Sequence, residues 1–253
     1  MINDVAPIVV GPRQARRYRG SKLDAFRATE HLSQMGLAGF WRYAAERLFV
    51  LEECMRELRL ERCLHIESDC LLYAPLAAYD GWLADVYGEG VAVCPLTDDE
   101  DTAAVLYAGS LSALAAFNAA LLEFVRIEPE RFVQTHGGPM ANEMRMMFLA
   151  RMEQGLAKAL PVTVADALAL GSPYVFDPGS YGQLVDGVPG EPGTPYVGDH
   201  HLIGRELLSG NYRITWDAQQ RAPCVHSQSD GTERPLANLH VHSKRLERWR
   251  PAE

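Results

Sequence analysis

Leu64-His65-Ile66-Glu67-Ser68-Asp69-Cys70-Leu71-Leu72-Tyr73 is the stretch on which the reading of this chain turns. Cys63 to Ile66 is an apolar run of strand length, and the carboxylates of Glu67 and Asp69 interrupt it. Just before it, between Gly39 and Leu60, apolar residues recur at Phe40, Ala44, Leu48, Leu51, Met55 and Leu58. Spacings of three and four place these on one face of a helix. A helix feeding a short buried strand points to an α/β fold with a mixed, mainly parallel sheet flanked by helices. In open sheets of this kind ligands collect where loops leave the carboxyl ends of the strands, and both carboxylates emerge there. Side chains at i and i+2 of an extended segment share a side, so Glu67 and Asp69 can hold one hard cation; the plainer reading is a solvated strand end.

Further out, Val91 to Pro95 and Ala103 to Tyr107 read as strands around the acidic loop Thr97 to Asp101. Ser110 caps a helix running to about Val125, and Asn142 caps another running to about Gln154. Near the start, Pro7 to Val10 reads as a short strand closed by Gly11-Pro12. The cluster Arg13, Arg16, Arg17, Arg19 and Lys22 that follows is either a solvated basic loop or a contact to phosphate. Asp186 to Val197, dense in Gly and Pro, reads as an irregular surface loop, either a lid or a plain connection. Tyr212 to Trp216 and Ala237 to His242 read as strands, and Lys244 to Arg250 as a short basic helix or tail.

A second chemical feature lies in Asn238-Leu239-His240-Val241-His242-Ser243-Lys244. In a strand, Leu239 and Val241 face the core while His240 and His242 face the other way, with Lys244 at the exit. Imidazole nitrogen beside carboxylate oxygen favours Mn²⁺ or a similar ion over Ca²⁺. The alternative is a pair of half-exposed histidines with structural hydrogen bonds.

The whole chain bears on the class of function. With 253 residues, 47% hydrophobic and 23% charged, it is long enough and apolar enough for one large domain spanning residues 1–253. A formal charge of -9 argues against a nucleic-acid partner, which would demand a dense basic surface. No apolar run approaches the ~18 residues of a transmembrane helix, and the start lacks a signal-peptide pattern, so a cytoplasmic location is expected. Five cysteines, odd in number and without CxxC spacing, read as reduced and mostly buried thiols.

The segment Phe40-Trp41-Arg42-Tyr43-Ala44-Ala45-Glu46-Arg47-Leu48-Phe49, the long helix and then LHIESDCLLY resemble the helix, strand and D-x-D segment of glycosyltransferases with the A-type fold. The likeness is to the glycogenin and lipopolysaccharide-galactosyltransferase-like group, which shares the nucleotide-diphospho-sugar transferase fold, and to bacterial relatives with a similar LHxHSK ending. It covers about residues 38 to 76, with Phe176 to Gln183 and Asn238 to Leu246. The resemblance implies that Asp69 matches the last Asp of D-x-D and Glu67 replaces the first. His242 matches the family's late metal-binding histidine, with His240 as its rival, and the cation is Mn²⁺ or Mg²⁺. Arg47 would reach the donor sugar and phosphates, or else border the apolar stripe. Lys244 would offset leaving-group charge, and Asp177 and Gln183 in FDPGSYGQ would orient sugar hydroxyls. Glu143 would touch the acceptor or act as a base; its plainer reading is a favourable charge at a helix start.

The function so implied is transfer of a sugar from a nucleotide-diphospho-sugar donor to a carbohydrate or other hydroxyl acceptor, as in polysaccharide biosynthesis. Relatives usually carry a strand, a helix and a second strand before the long helix, whereas only about 37 residues precede it here, so the nucleoside-binding part is expected to be shortened. Two other classes fit the same residues. One is a non-catalytic carbohydrate- or nucleotide-binding module with an incomplete donor pocket. The other is a hydrolase in which Asp69, His240 and His242 hold a metal that activates water.

Overall fold

The computed structural model describes residues 8–29, 36–138, 142–188, 190–196, 198–217 and 222–249. In chain order the helices and strands of the first half are α1 (Pro12–Ala15), α2 (Ser21–Arg27), α3 (Gly36–Leu58), β1 (Cys63–Ile66), β2 (Cys70–Leu72), α4 (Asp80–Tyr87), β3 (Val91–Pro95), β4 (Asp101–Ala108) and α5 (Leu111–Arg126). There follow α6 (Pro129–His136), α7 (Glu143–Met152), β5 (Ala157–Ala159), α8 (Val164–Ala169), α9 (Ser180–Asp186), α10 (Leu202–Leu208), β6 (Tyr212–Asp217), β7 (Ala222–Ser227), β8 (Glu233–Pro235) and β9 (Asn238–His240). They form two compact units whose segments alternate along the chain.

The first unit comprises Met1–Leu64, Glu89–Val91 and Tyr107–Lys158 and is mainly helical. The apolar stripe of α3 packs against α2, α5 and α7. Ala44, Leu48 and Met55 are buried as the spacing predicts, whereas Phe40 and Leu58, near the helix ends, are exposed. Phe49 of α3 stacks on Phe26 of α2 with ring centroids 4.6 Å apart. Both expected caps are present. The Ser110 hydroxyl accepts from Ala113 N–H at 3.1 Å, and Asn142 Oδ1 accepts from Arg145 N–H at 3.0 Å. Each satisfies an amide that the first helical turn leaves without a partner. Arg13 lies in α1 and Arg16 and Arg17 in the turn after it, while Ile8 to Val10 are irregular and exposed rather than a strand; Pro7 lies outside the described residues.

The second unit comprises His65–Gly88, Ala92–Leu106 and Ala159–Glu253. It holds most of a four-stranded sheet of order β1-β4-β3-β5. β3 and β4 are buried along their whole lengths. Only Leu96 to Glu100 join these neighbours, a connection too short for a parallel crossover, so they form an antiparallel hairpin. The expected α/β class with a mixed sheet is thus present, with an antiparallel pair at its centre. A three-stranded antiparallel sheet, β6-β7-β8, and a two-stranded ribbon, β2-β9, complete this unit. The described residues between Gly187 and Tyr196 carry no regular element, in line with their Gly and Pro content; Pro189 and Val197 are outside the described residues. Cys54, Cys70, Cys94 and Cys224 are buried thiols and Cys63 is half-buried. Among the described residues no helix is long and apolar enough to cross a membrane.

Candidate metal centre

After β1 the chain is anchored and then turned. Glu67 N–H donates to the Ala104 carbonyl on β4 at 3.1 Å, and Cys70 N–H donates back to the Glu67 carbonyl at 3.1 Å. The segment Glu67–Cys70 is therefore a tight turn. The two carboxylates share a point because the backbone reverses between them, where the sequence reading relied on alternation along an extended strand.

β2 leaves this turn and pairs antiparallel with β9, Cys70 opposite His240, Leu71 opposite Leu239 and Leu72 opposite Asn238. The ladder continues at both ends, from Tyr73 N–H to Ala237 O at 3.0 Å and from Val241 N–H to Asp69 O at 2.8 Å. The early acidic turn and the late histidine segment are thus locked side by side. His240 Nε2 lies 3.0 Å from Asp69 Oδ2 and 3.1 Å from Glu67 Oε2, and one ligand atom from each of the three residues falls within 4.8 Å of the others. Lys244 Nζ donates to the same Asp69 Oδ2.

Burial opposes charge on both partners, and the pairing overrides it. Asp69 is 6% exposed; desolvation would raise its carboxyl, but His240 and Lys244 hold it well below the usual carboxylate range. Desolvation would lower the His240 imidazole, yet hydrogen bonds to Asp69 and Glu67 raise it to about 9. His242 stacks on His240 with centroids 4.1 Å apart and planes 29° from parallel. Burial and the neighbouring His240 lower the His242 imidazole to about 3. Among the described residues, His240 Nδ1 and His242 Nε2 have no hydrogen-bond partner. The sequence reading preferred His242 as ligand; the structure puts His240 against both carboxylates and His242 on the face of its ring.

Within FDPGSYGQ, the Asp177 carboxylate is taken up by the backbone around it. Asp177 is fully buried, and its Oδ1 accepts from Gly179 N–H (2.7 Å) and Tyr181 N–H (3.0 Å). Its Oδ2 accepts from Gly182 N–H (3.0 Å) and from His240 N–H (2.9 Å). The Asn238 side chain brackets the Asp177 backbone, accepting from its N–H at 3.0 Å and donating to its carbonyl at 3.1 Å. A carboxylate offers about four acceptor sites. With four backbone donors in place, Asp177 keeps none for a sugar hydroxyl; it fastens the start of α9 to β9 and so sets the position of His240. Gln183 lies on the same helix, half-buried, with no hydrogen-bond partner for Oε1 among the described residues.

Arg47 and Glu143, assigned separately to donor and acceptor, are partners of each other in the first unit, Arg47 Nη2 to Glu143 Oε1 at 3.3 Å. Glu143 is 2% exposed, so the guanidinium compensates a buried carboxylate between α3 and α7. The cation cluster belongs to the second unit.

The sequence places Asp186 at the start of an irregular surface loop; in the structure it is the last residue of α9. Fully buried at the end of α9, it accepts from Ser243 Oγ, from Arg245 Nη2 at 2.5 Å and from Arg248 Nη1 at 2.9 Å, pinning the segment after β9. The available signal was the Lys/Arg-rich tail Lys244 to Arg250, whose four cations accompany a single carboxylate, Glu247, and so call for counter-charge from elsewhere in the chain.

Two carboxylate oxygens and one imidazole nitrogen form a donor set of the kind that holds a divalent cation. Three protein ligands also leave coordination positions for a substrate or water. The residues present therefore fit a divalent cation. In comparison with known proteins, the chain matches no family model, no curated protein and no solved structure.

Proposed function

We propose that this protein is a divalent-cation-dependent glycosyltransferase that moves a sugar from a nucleotide-diphospho-sugar donor to a hydroxyl acceptor. The observation that carries the reading is the meeting of Glu67, Asp69 and His240 at one point through the β2-β9 ladder. The donor class comes from the motif resemblance, which this geometry supports by supplying a cation-binding group at the D-x-D position.

Glu67 and Asp69 contribute the oxygen ligands and His240 the nitrogen ligand, once its proton on Nε2 is given up. A bound Mn²⁺ or Mg²⁺ would supply positive charge to a diphosphate leaving group. Lys244 adds a second positive charge on the same side, and Asp177 with Gly182 keeps β9 in register so that His240 stays in place. In the transfer, the bond between the anomeric carbon and the diphosphate oxygen breaks, and the acceptor oxygen bonds to that carbon as its proton is lost.

The test is calorimetric titration of the protein with Mn²⁺, followed by incubation with UDP- and GDP-sugars with and without the metal. Release of nucleoside diphosphate that requires Mn²⁺ and disappears in Asp69→Asn is the expected result. Donor binding without any turnover would assign the protein instead to the binding modules. Failure to bind Mn²⁺ at all would remove the cation site and the proposal with it.

A further inference from the structure

Lys244 has an unusual backbone. Among the described residues, Arg59 and Lys244 are the non-glycines with positive φ, and that of Lys244 is 64°. L-residues avoid this region because Cβ crowds the neighbouring carbonyl, so the surroundings must impose it. Lys244 N–H closes a turn onto the Val241 carbonyl at 2.9 Å. The residues on either side, Ser243 and Arg245, are both held by the buried carboxylate of Asp186. With the flanks tied down, the side chain between them is directed elsewhere, and its ammonium rests on Asp69 Oδ2. That oxygen is also the one 3.0 Å from His240 Nε2. The Lys244 side chain is 63% exposed, so it can leave Asp69 without opening packed structure.

We propose that Lys244 is a built-in counter-ion that competes with a divalent cation for Asp69. This rests on the reading of Glu67, Asp69 and His240 as the cation group, and adds a regulatory element to it. Two carboxylates at close range repel each other and need positive charge to stay together. Lys244 supplies one such charge, on Asp69. An arriving dication then has to displace the ammonium, a mobile point charge whose three donors water can satisfy. The affinity for the ion is therefore set below what the three ligands alone would give, and ions that cannot outcompete a tethered ammonium are turned away.

The experiment uses the full chain, freed of metal with a chelator, and follows unbound Mn²⁺ by electron paramagnetic resonance in wild type, Lys244→Met, Lys244→Arg and Asp69→Asn, without nucleotide. Lys244→Met keeps the stem and removes the charge. It is expected to bind Mn²⁺ about fivefold more tightly, the size of one largely exposed ion pair. Lys244→Arg keeps the charge and stays within about twofold of wild type. Unchanged or weaker binding in Lys244→Met, or equal tightening in Lys244→Arg, would overturn the competition; loss of binding in Asp69→Asn would show that the cation site nonetheless stands. If wild type takes up no Mn²⁺, both readings fall.

Discussion

A methyl group added at Gly182 would lie 1.9 Å from the His240 carbonyl oxygen, and one at Gly179, where φ is +122°, would lie 2.7 Å from His242 Nε2. Neither contact is tolerable, so both glycines are there to let α9 approach the histidine segment. Gly182→Ala is expected to cost about 1–3 kcal/mol by overpacking. It should also weaken Mn²⁺ binding, because β9 must shift; urea unfolding and a metal titration on the same sample check both. The two histidines should separate cleanly. His240→Gln removes a ligand and should cost more than the ~10–100-fold typical of an outer partner, whereas His242→Gln should cost no more than about tenfold. A reversed order in a Mn²⁺ titration would return the ligand role to His242. Lys244→Met is expected to change sign with the probe, tightening Mn²⁺ alone but weakening Mn²⁺ with inorganic pyrophosphate, because the released ammonium then serves the anion.

At the scale of elements, α3 owes its place to more than its apolar stripe. Glu52, 1% exposed, accepts from Lys22 on α2 at 2.8 Å, from Arg56 one turn on at 2.7 Å and from Asn118 on α5 at 3.0 Å. Burial would raise its carboxyl, but Lys22, Asn118 and Arg56 together lower it below the ordinary 4.5. A carboxylate depressed in the folded state stabilises fully above its unfolded value and loses that contribution as pH falls through its folded value. The helical unit should therefore lose stability below about pH 4.5, and Glu52→Gln should flatten that part of a urea-midpoint profile.

For the whole molecule, the two units should respond to acid over different ranges. His201 in the second unit is 6% exposed, with Nδ1 3.1 Å from the Ser180 hydroxyl. Burial first, then the adjacent His200, lowers its imidazole from 6.5 to about 4. Between those values the unfolded chain binds a proton that the folded chain excludes, so stability falls as pH drops from 6.5 to about 4, at up to ~1.4 kcal/mol per pH unit. The second unit should weaken before the acid range that affects Glu52. His242 in the same unit, lowered from 6.5 to about 3, adds to this loss, so His201→Gln should shrink the earlier phase without abolishing it, read from the fluorescence of Trp82, Trp216 and Trp249 in that unit.

What the sequence determined by itself was local. The periodicity of α3, the buried strands β3 and β4, the caps Ser110 and Asn142 and the acidic character of the turn after β1 each depend on residues a few positions apart, so short-range pattern suffices. The short elements α8 to α10 and β7 to β8 escaped, because segments of three to seven residues show too little periodicity, and Pro223 within β7 argues against a strand. Only the tertiary structure decided the site. Asp69 and His240 are 171 residues apart, and whether the carboxylates meet His240, Leu239 or His242 depends on the register of one ribbon. A slip of one residue there turns every side chain to the other face, and neither strand encodes that choice without its distant partners. It is set by Asp177, Asn238 and Gly182, whose roles as clamp appear only once the distant segments are packed together.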